Sequence, residues 1–509
     1  MSSGNPIWGD IDLDGDLDLI IPTKDSDPLV YKNNGDDNFN RIQNGSSDGM
    51  SGIILPTGYG TLWWGFAFGD YDGDGILDLY IAVNYTASPL KSNLLFKGTG
   101  GPPAQLYFNW VSGTALDNDQ QRGKSGFWLD SNKDGKLELF VKNYFGHDTF
   151  GANRLYEYSG GVFTNIIGSG SELEKAVYQS FNTDEPYGHG EISSFYDSGY
   201  DGDMDVAFSV LRKAFYKKNA SGYTEDTASM IFPVNDEYCT GIAWGDYDND
   251  GYPDLYVASG SLNTGAFLRT YLFHNNGNGT FTDVAQDAGV YTEANTWAPV
   301  WGDYDNDGYL DLFVTCSGDQ AGTNASGNAN FLYRNKGPDA HGIYTFKNVA
   351  ASVPAVEMHD GTSLHKTAAW ADYNNDGFLD LVVKDGIGNM AGITHLVKNM
   401  GNRNHWIEVY LHGLGPAKGR SNDRGIGARV QVTYTPPFAA TRTAYRVNNG
   451  GGGGEYLSQG SEPLHFGIKS ATTATVDVRW PSGTHDVKNL TSTDIDKVIT
   501  ITEGCCQLQ

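Results

Sequence analysis

The chain has 509 residues and a formal net charge of −28, from 62 acidic against 34 basic side chains. That surplus excludes a nucleic-acid partner, which needs a basic footprint, and no apolar run approaches the roughly 20 residues a membrane-spanning helix needs. With 66 Gly, 30 Tyr and 39% hydrophobic residues, the composition suits a turn-rich, all-β chain with a large core.

The first predicted strand is Ile7-Trp8-Gly9, and an acidic loop follows it directly. The loop pattern is Asp-x-Asp-x-Asp-Gly-x-x-Asp, leading into an apolar run. It recurs seven times, with starts 49 to 69 residues apart. Carboxylates on alternate residues, then Gly, let a tight loop aim several oxygens at one point. Calcium accepts roughly six to eight oxygens in irregular geometry. Gly at position 6 permits the turn because it tolerates positive φ. The candidate ligands are the side chains at positions 1, 3, 5 and 9 and the main-chain carbonyl at position 7. In the first loop these are Asp10, Asp12, Asp14, Asp16 and Asp18. In the second they are Asp70, Asp72, Asp74, Ile76 and Asp78, and in the third Asp130, Asn132, Asp134, Lys136 and Glu138. The fourth has Asp197, Gly199, Asp201, Asp203 and Asp205, the fifth Asp246, Asp248, Asp250, Tyr252 and Asp254. The sixth has Asp303, Asp305, Asp307, Tyr309 and Asp311, the seventh Asp372, Asn374, Asp376, Phe378 and Asp380.

Up to seven calcium ions are therefore expected, and seven would offset half the net charge. Without them each cluster repels itself and the fold should loosen. Gly199 removes a side-chain ligand, so the fourth loop should bind weakest. The loop starts like an EF-hand, but position 12 is apolar (Ile21, Ile81, Val257, Val314) and the flanks read as strands. The alternative is a set of Asp-rich surface turns without metal; seven copies in register argue against it.

Each repeat carries a second element, such as Leu29-Val30-Tyr31-Lys32-Asn33-Asn34-Gly35 or Tyr271-Leu272-Phe273-His274-Asn275-Asn276-Gly277, usually followed by a Phe-containing strand. Four short antiparallel strands per repeat is the pattern of a β-propeller. Trp301-Gly302-Asp303-Tyr304-Asp305-Asn306-Asp307-Gly308-Tyr309, with Leu332-Tyr333-Arg334-Asn335-Lys336-Gly337 after it, resembles the FG-GAP/VCBS repeat family. That family includes integrin-α-like propellers whose loops bind calcium between the first two strands of a blade. The resemblance implies a seven-bladed propeller over residues 1–402.

Residues 403–504 carry a second set of motifs. They are Asn404-His405-Trp406-Ile407-Glu408-Val409, Ser421-Asn422-Asp423-Arg424-Gly425-Ile426-Gly427-Ala428-Arg429-Val430, Glu455-Tyr456-Leu457-Ser458-Gln459, Leu464-His465-Phe466-Gly467 and Val478-Arg479-Trp480-Pro481-Ser482-Gly483. They are similar to the ASPIC/UnbV domain, found after FG-GAP repeats in cartilage-acidic-protein-like secreted proteins. Trp406 to Leu411, Ala428 to Tyr434, Thr475 to Trp480 and Lys497 to Thr502 alternate like strands, so this part is all-β as well. The run Gly450 to Gly454 lacks the Lys-Ser/Thr of a phosphate loop and reads as a hairpin or close-packing segment. Residues 505–509 read as a tail in which Cys505 and Cys506 either cross-link to another chain or sit in a loose end. Cys239 and Cys316 form either a bridge between blades or two buried thiols.

No signal peptide is visible and residue 7 already belongs to the first repeat, so the numbering is expected to begin at a mature, trimmed or inferred start. Sequons at Asn44, Asn84, Asn219, Asn278, Asn324 and Asn489, together with loops suited to extracellular calcium, point to secretion or the cell surface. His147, His189, His359 and His365 fall on the face opposite the calcium loops, where a metal or general-base cluster is conceivable. No fixed short spacing unites them, and no nucleophile elbow is present. The leading expectation is an extracellular calcium-binding propeller for adhesion, ligand binding or structure, with no assigned catalytic residue. Its partner would be an extracellular protein or glycan. The alternatives are a self-assembling filament or matrix subunit, whose partner is itself, and a carbohydrate-acting enzyme of lyase or dehydratase type on the non-calcium face.

Overall fold

The structure is a computed structural model that describes residues 4–23, 28–35, 37–42, 53, 62–84, 92–99, 108–118, 123–143, 153–167, 192–196, 204–209, 214–219, 222–226, 229, 239–260, 269–316, 329–358, 365–385, 394–450 and 458–506. It is all-β. Up to Val397 the described strands form antiparallel sheets in simple sequential order, six of four strands and a last one of three. The first strands are Ile7–Gly9, Leu62–Gly69, Gly123–Leu129, Ile192–Tyr196, Cys239–Gly245, Thr296–Gly302 and His365–Ala371. Each second strand starts at loop position 9: Asp18–Ile21, Asp78–Asn84, Glu138–Asn143, Asp205–Ser209, Asp254–Ser259, Asp311–Cys316 and Asp380–Asp385.

The second strands read as continuous apolar runs rather than alternating ones. Asp254–Ser259 is buried at every residue, because each sheet is covered by a neighbour on both faces. Each first strand packs against the first strand of the next sheet, and the seventh packs back onto the first. Trp8, Leu19 and Ile21 share one core with Ala369, Tyr373 and Val382.

Two recurring motifs make the joints. Trp301 Nε1 donates to Ala243 O of the preceding sheet at 3.1 Å, and Trp370 Nε1 donates to Val300 O at 3.4 Å. Gly245 lies under the Trp301 ring, where a Cβ would come within 2.8 Å of it, so the Gly of Trp-Gly-Asp is a packing requirement. The Asn of Asn-x-Gly staples its sheet to the one before. Asn335 Nδ2 donates to Tyr247 O (2.8 Å), Asn399 Nδ2 to Tyr304 O (2.7 Å) and Asn33 Nδ2 to Tyr373 O (2.6 Å). The last of these joins the first sheet to the seventh.

Residues 404–506 build a two-sheet sandwich. One sheet runs Arg442–Val447, Arg429–Tyr434, Ala474–Arg479, His485–Leu490; the other runs Leu464–Lys469, His405–His412, Lys497–Thr502, with the last two strands parallel. Its core joins Ile407, Val409, Val430, Val432, Phe466, Val476, Val478, Trp480 and Ile501. The unit sits on the loop end of the ring. Gln459 pairs in parallel with Ala67 of a first strand, exchanging main-chain bonds with Phe66 and Phe68. Its side chain accepts from Trp128 N (2.7 Å) and donates to Trp128 O (3.0 Å). Ser461 N reaches Trp8 O at 3.0 Å. One segment of the C-terminal unit therefore bonds to the innermost strands of the first three sheets.

Cys239 and Cys316 are buried thiols rather than a bridge between sheets, and burial pushes the Cys316 thiol up to about 12. Cys505 and Cys506 are joined to each other. They are tied down as well: Cys506 N and Gly504 N donate to the Asp486 carboxylate at 2.8 and 2.6 Å. Of the glycine run, residues 451–454 lie outside the described residues.

Candidate metal centre

Six of the seven acidic loops are described, and they share one construction. The position-1 carboxylate accepts from the amides of positions 5 and 6, as Asp303 does from Asp307 N (2.9 Å) and Gly308 N (2.8 Å). The position-5 carboxylate accepts from the amide of position 7: Asp14 from Asp16, Asp74 from Ile76, Asp134 from Lys136, Asp250 from Tyr252, Asp307 from Tyr309 and Asp376 from Phe378, all between 2.7 and 3.2 Å. In four of them the position-9 carboxylate accepts from the third strand, as Asp18 does from Asn33 N (2.8 Å) and Asp311 from Asn335 N (2.7 Å), and Asp380 accepts from Asn399 N just past it (2.6 Å). These bonds wind the loop around a central point. The Gly at position 6 has φ of 83° to 96° in all six. Position 4 is left-handed too. Gly73, Asn249, Asn306 and Asn375 tolerate this, whereas Leu13 (φ 61°) and Lys133 (φ 61°) are strained.

Carboxylate oxygens converge within 4.8 Å of one another in four loops. The groups are Asp10, Asp12 and Asp18; Asp70, Asp72 and Asp78; Asp246, Asp248 and Asp250; and Asp303, Asp305 and Asp311. His274 joins Asp248 and Asp254 in a further such group. In these groups Oδ1 of Asp12, Asp72 and Asp305 and Oδ2 of Asp311 are buried with no hydrogen-bond partner, as is Oδ2 of Asp380 in the seventh loop. A buried carboxylate oxygen without a partner is costly. A hard divalent cation held by oxygens would satisfy all of them, so the donor set fits calcium. Electrostatics agree. Burial, opposed by backbone hydrogen bonds, pushes Asp18, Asp78 and Asp380 up to about 8 and Asp70 and Asp130 up to about 6. Asp254 and Asp311 are likewise raised well above the usual carboxylate range, by burial and by the neighbouring carboxylates.

The third and seventh loops differ as their sequences do. Glu138 takes the position-2 amide of Ser131 (2.7 Å), as Asp18 and Asp78 take those of Ile11 and Tyr71, but also accepts from Asn132 Nδ2 (3.2 Å), and Asn374 Nδ2 donates to Asp376 Oδ2 (3.0 Å). In the fourth loop Asp197, Gly199, Asp201 and Asp203 lie outside the described residues. Asp205 is buried and accepts from Lys218 N (2.9 Å), as position 9 does elsewhere. His147, His189 and His359 also lie outside the described residues, as does the side chain of His365.

Two sets of residues escape a reading of sequence. Position-4 asparagines link consecutive loops. Asn249 Nδ2 donates to Gly308 O (2.9 Å), Asn306 Nδ2 to Gly377 O (2.8 Å) and Asn375 Nδ2 to Asp16 Oδ1 (2.7 Å). The recurrence of Asn at that position was the available signal. The second set belongs to the C-terminal unit and the segment leading into it, which lie against the loops. Arg424 Nη2 donates to Gly75 O (3.2 Å), Arg442 Nη1 to Asp307 O (3.3 Å), and Asn402 and Asn404 to Asp305 O (2.6 and 2.8 Å). His465, depressed to about 4 by burial, bonds Asn306 at 2.7 Å and Glu408 at 3.1 Å. A Cβ on Gly308 would meet Tyr434 Oη at 1.8 Å, and one on Gly377 would meet Trp406 Nε1 at 1.7 Å. These loop glycines therefore serve the docked unit as well as the turn. Beside the second loop a cleft of about 310 Å³, lined by Asp70, Asp72, His412, Lys418 and Asp423, keeps that site in reach of solvent.

Known proteins agree with this architecture. Residues 10–81, 200–257 and 261–314 match the FG-GAP-like repeat, and residues 418–507 match the ASPIC and UnbV family. Cartilage acidic protein 1 of Mus musculus is 23% identical over 515 residues, covering 97% of this chain and 72% of that protein. The Homo sapiens protein is 22% identical, covering 97% and 71%, and the Xenopus tropicalis protein 23%, covering 97% and 72%. Solved structures are more remote; Trypanosoma rangeli sialidase, at 10% identity and a TM-score of 0.34 over 100% of this chain and 86% of that one, says nothing about activity. The chain carries FG-GAP-like repeats and an ASPIC and UnbV domain, and is similar along nearly all its length to cartilage acidic protein 1.

Proposed function

We propose that this protein is an extracellular, adhesion-like binding module: a seven-bladed propeller over residues 1–402 whose blade loops hold calcium as a structural ion, closed on the loop side by the domain at residues 403–504. The observation that carries it is the set of loop carboxylates that converge in four loops, with buried, partnerless oxygens at Asp12, Asp72, Asp305 and Asp311. The relatives' names support an extracellular place. Because the C-terminal unit covers the loop end, the ligand, an extracellular protein or glycan, is read as binding the opposite end of the ring.

Metal analysis with thermal unfolding, in calcium and after chelation, tests the reading. Several ions per chain are expected, each adding about 2.7 kcal/mol at free calcium 100-fold above its Kd. Metal-free protein with an unchanged melting temperature would refute it.

A further inference from the structure

One position at the end of the third strand, the residue before Asn-x-Gly in the first, fifth, sixth and seventh repeats and before Gly98 in the second, has no role so far. In the first sheet Lys32 Nζ bonds Asp12 Oδ2 and lies 2.8 Å from Asp14 Oδ2. In the second, Lys97 Nζ bonds Asp72 Oδ2 and lies 2.8 Å from Asp74 Oδ2. In the sixth, Arg334 Nε lies 2.6 Å from Asp305 Oδ2. In each case the position-3 carboxylate gives Oδ2 to the cation and leaves Oδ1 buried and partnerless. His274 holds the same place in the fifth sheet, 3.3 Å from Asp248 Oδ2 and 3.2 Å from Asp254 Oδ1.

The remaining repeats act as internal controls. Where position 3 is not Asp, the cation is missing or turned away. The third sheet has Asn132, and by strand register its residue equivalent to Lys32 is Glu157. The seventh has Asn374, and Lys398 pairs with Asp37 at 2.7 Å instead. The fourth has Gly199, and Lys217 pairs with Asp226 at 2.9 Å. Asn374 Nδ2 meets the position-5 Oδ2 from within the loop, the oxygen that Lys32 and Lys97 meet in theirs. Four carboxylates with one fixed cation leave three negative charges; three carboxylates without one leave the same three.

We infer that Lys32, Lys97 and Arg334 are counter-charges that set the calcium affinity of the four-carboxylate loops, matching them to loops with Asn at position 3. Ligand charge is a main determinant of affinity at such sites. The inference rests on the calcium reading above, and the wild type separates the two.

Metal-stripped full-length protein is titrated calorimetrically with calcium, as wild type, Lys97→Met and Lys97→Met with Asp72→Asn. The single variant should acquire one site that binds several-fold more tightly, and the double variant should return to wild-type affinity. Unchanged or weaker binding by Lys97→Met overturns the inference, as does a double variant that stays tight. Arg334→Met, on a side chain 47% exposed, gives the same reading should Lys97→Met fail to fold at saturating calcium. A wild type that binds no calcium removes the calcium reading, and this inference with it.

Discussion

At the scale of residues, the acidic loops would carry an electrostatic cost without calcium. Asp18, Asp78 and Asp380 keep their protons up to about pH 8 because they are buried. An unfolded Asp gives its proton up near pH 3.9, so here the folded value is the higher one. A group raised in this way contributes stability that is fully present below the unfolded value and lost as pH rises through the folded one. Chelated protein should therefore melt at progressively lower temperature from about pH 4 to about pH 8. Saturating calcium should flatten that decline by holding the ionised form. Melting curves in both conditions check this; a decline that calcium leaves unchanged would place the carboxylates away from the ion. Much of this candidate site was legible in the chain, because alternate Asp residues and a Gly place the candidate ligands within nine consecutive positions. The basic residue on the third strand was not, since it reaches position 3 only after the sheet has paired.

At the scale of elements, the joints between sheets rest on a few polar side chains. Asn335 is fully buried. Its Nδ2 serves Tyr247 O and Leu310 O, and its Oδ1 takes Gly337 N at 2.9 Å. Asn335→Ala leaves those buried groups unmatched and should cost about 2–3 kcal/mol in urea unfolding. A loss below ~0.5 kcal/mol, the range of ordinary surface changes, would mean that the stacked Trp and Tyr rings hold the joint without it. Strand existence was readable from period and turn residues. In the C-terminal unit, the four alternating segments formed strands within a residue or two of their expected bounds. Arg442–Val447, Leu464–Lys469 and His485–Leu490 were not anticipated. These strands are rich in Arg, His, Lys and Asn, and their apolar positions acquire meaning only opposite their partners.

At the scale of the molecule, the loop end of the ring is an internal interface. Arg424 and Arg442 bond loop carbonyls, and Gln459 bonds an innermost strand, so docking and loop shape should be linked. Gln459→Ala strands a buried Trp128 amide and should speed hydrogen exchange at Phe66, Phe68 and Gln459 itself. Its expected cost is about 1–3 kcal/mol. Chelation should raise exchange at the same amides, and unaltered protection there would show docking to be independent of the metal loops.

The sequence by itself determined the all-β class, the repeated acidic loop, the glycines that turn it and the two kinds of module. Each of these is a local property: a ligand spacing, a φ requirement or a strand period repeated along the chain. Tertiary structure alone decided that the C-terminal unit closes over the loops, that Asn side chains chain one loop to the next, and that a cation from the third strand faces each Asp at position 3 in three repeats. Those pairings join residues about 20 to several hundred positions apart. They arise from how sheets stack and where a second domain docks, and no periodicity within one segment encodes that.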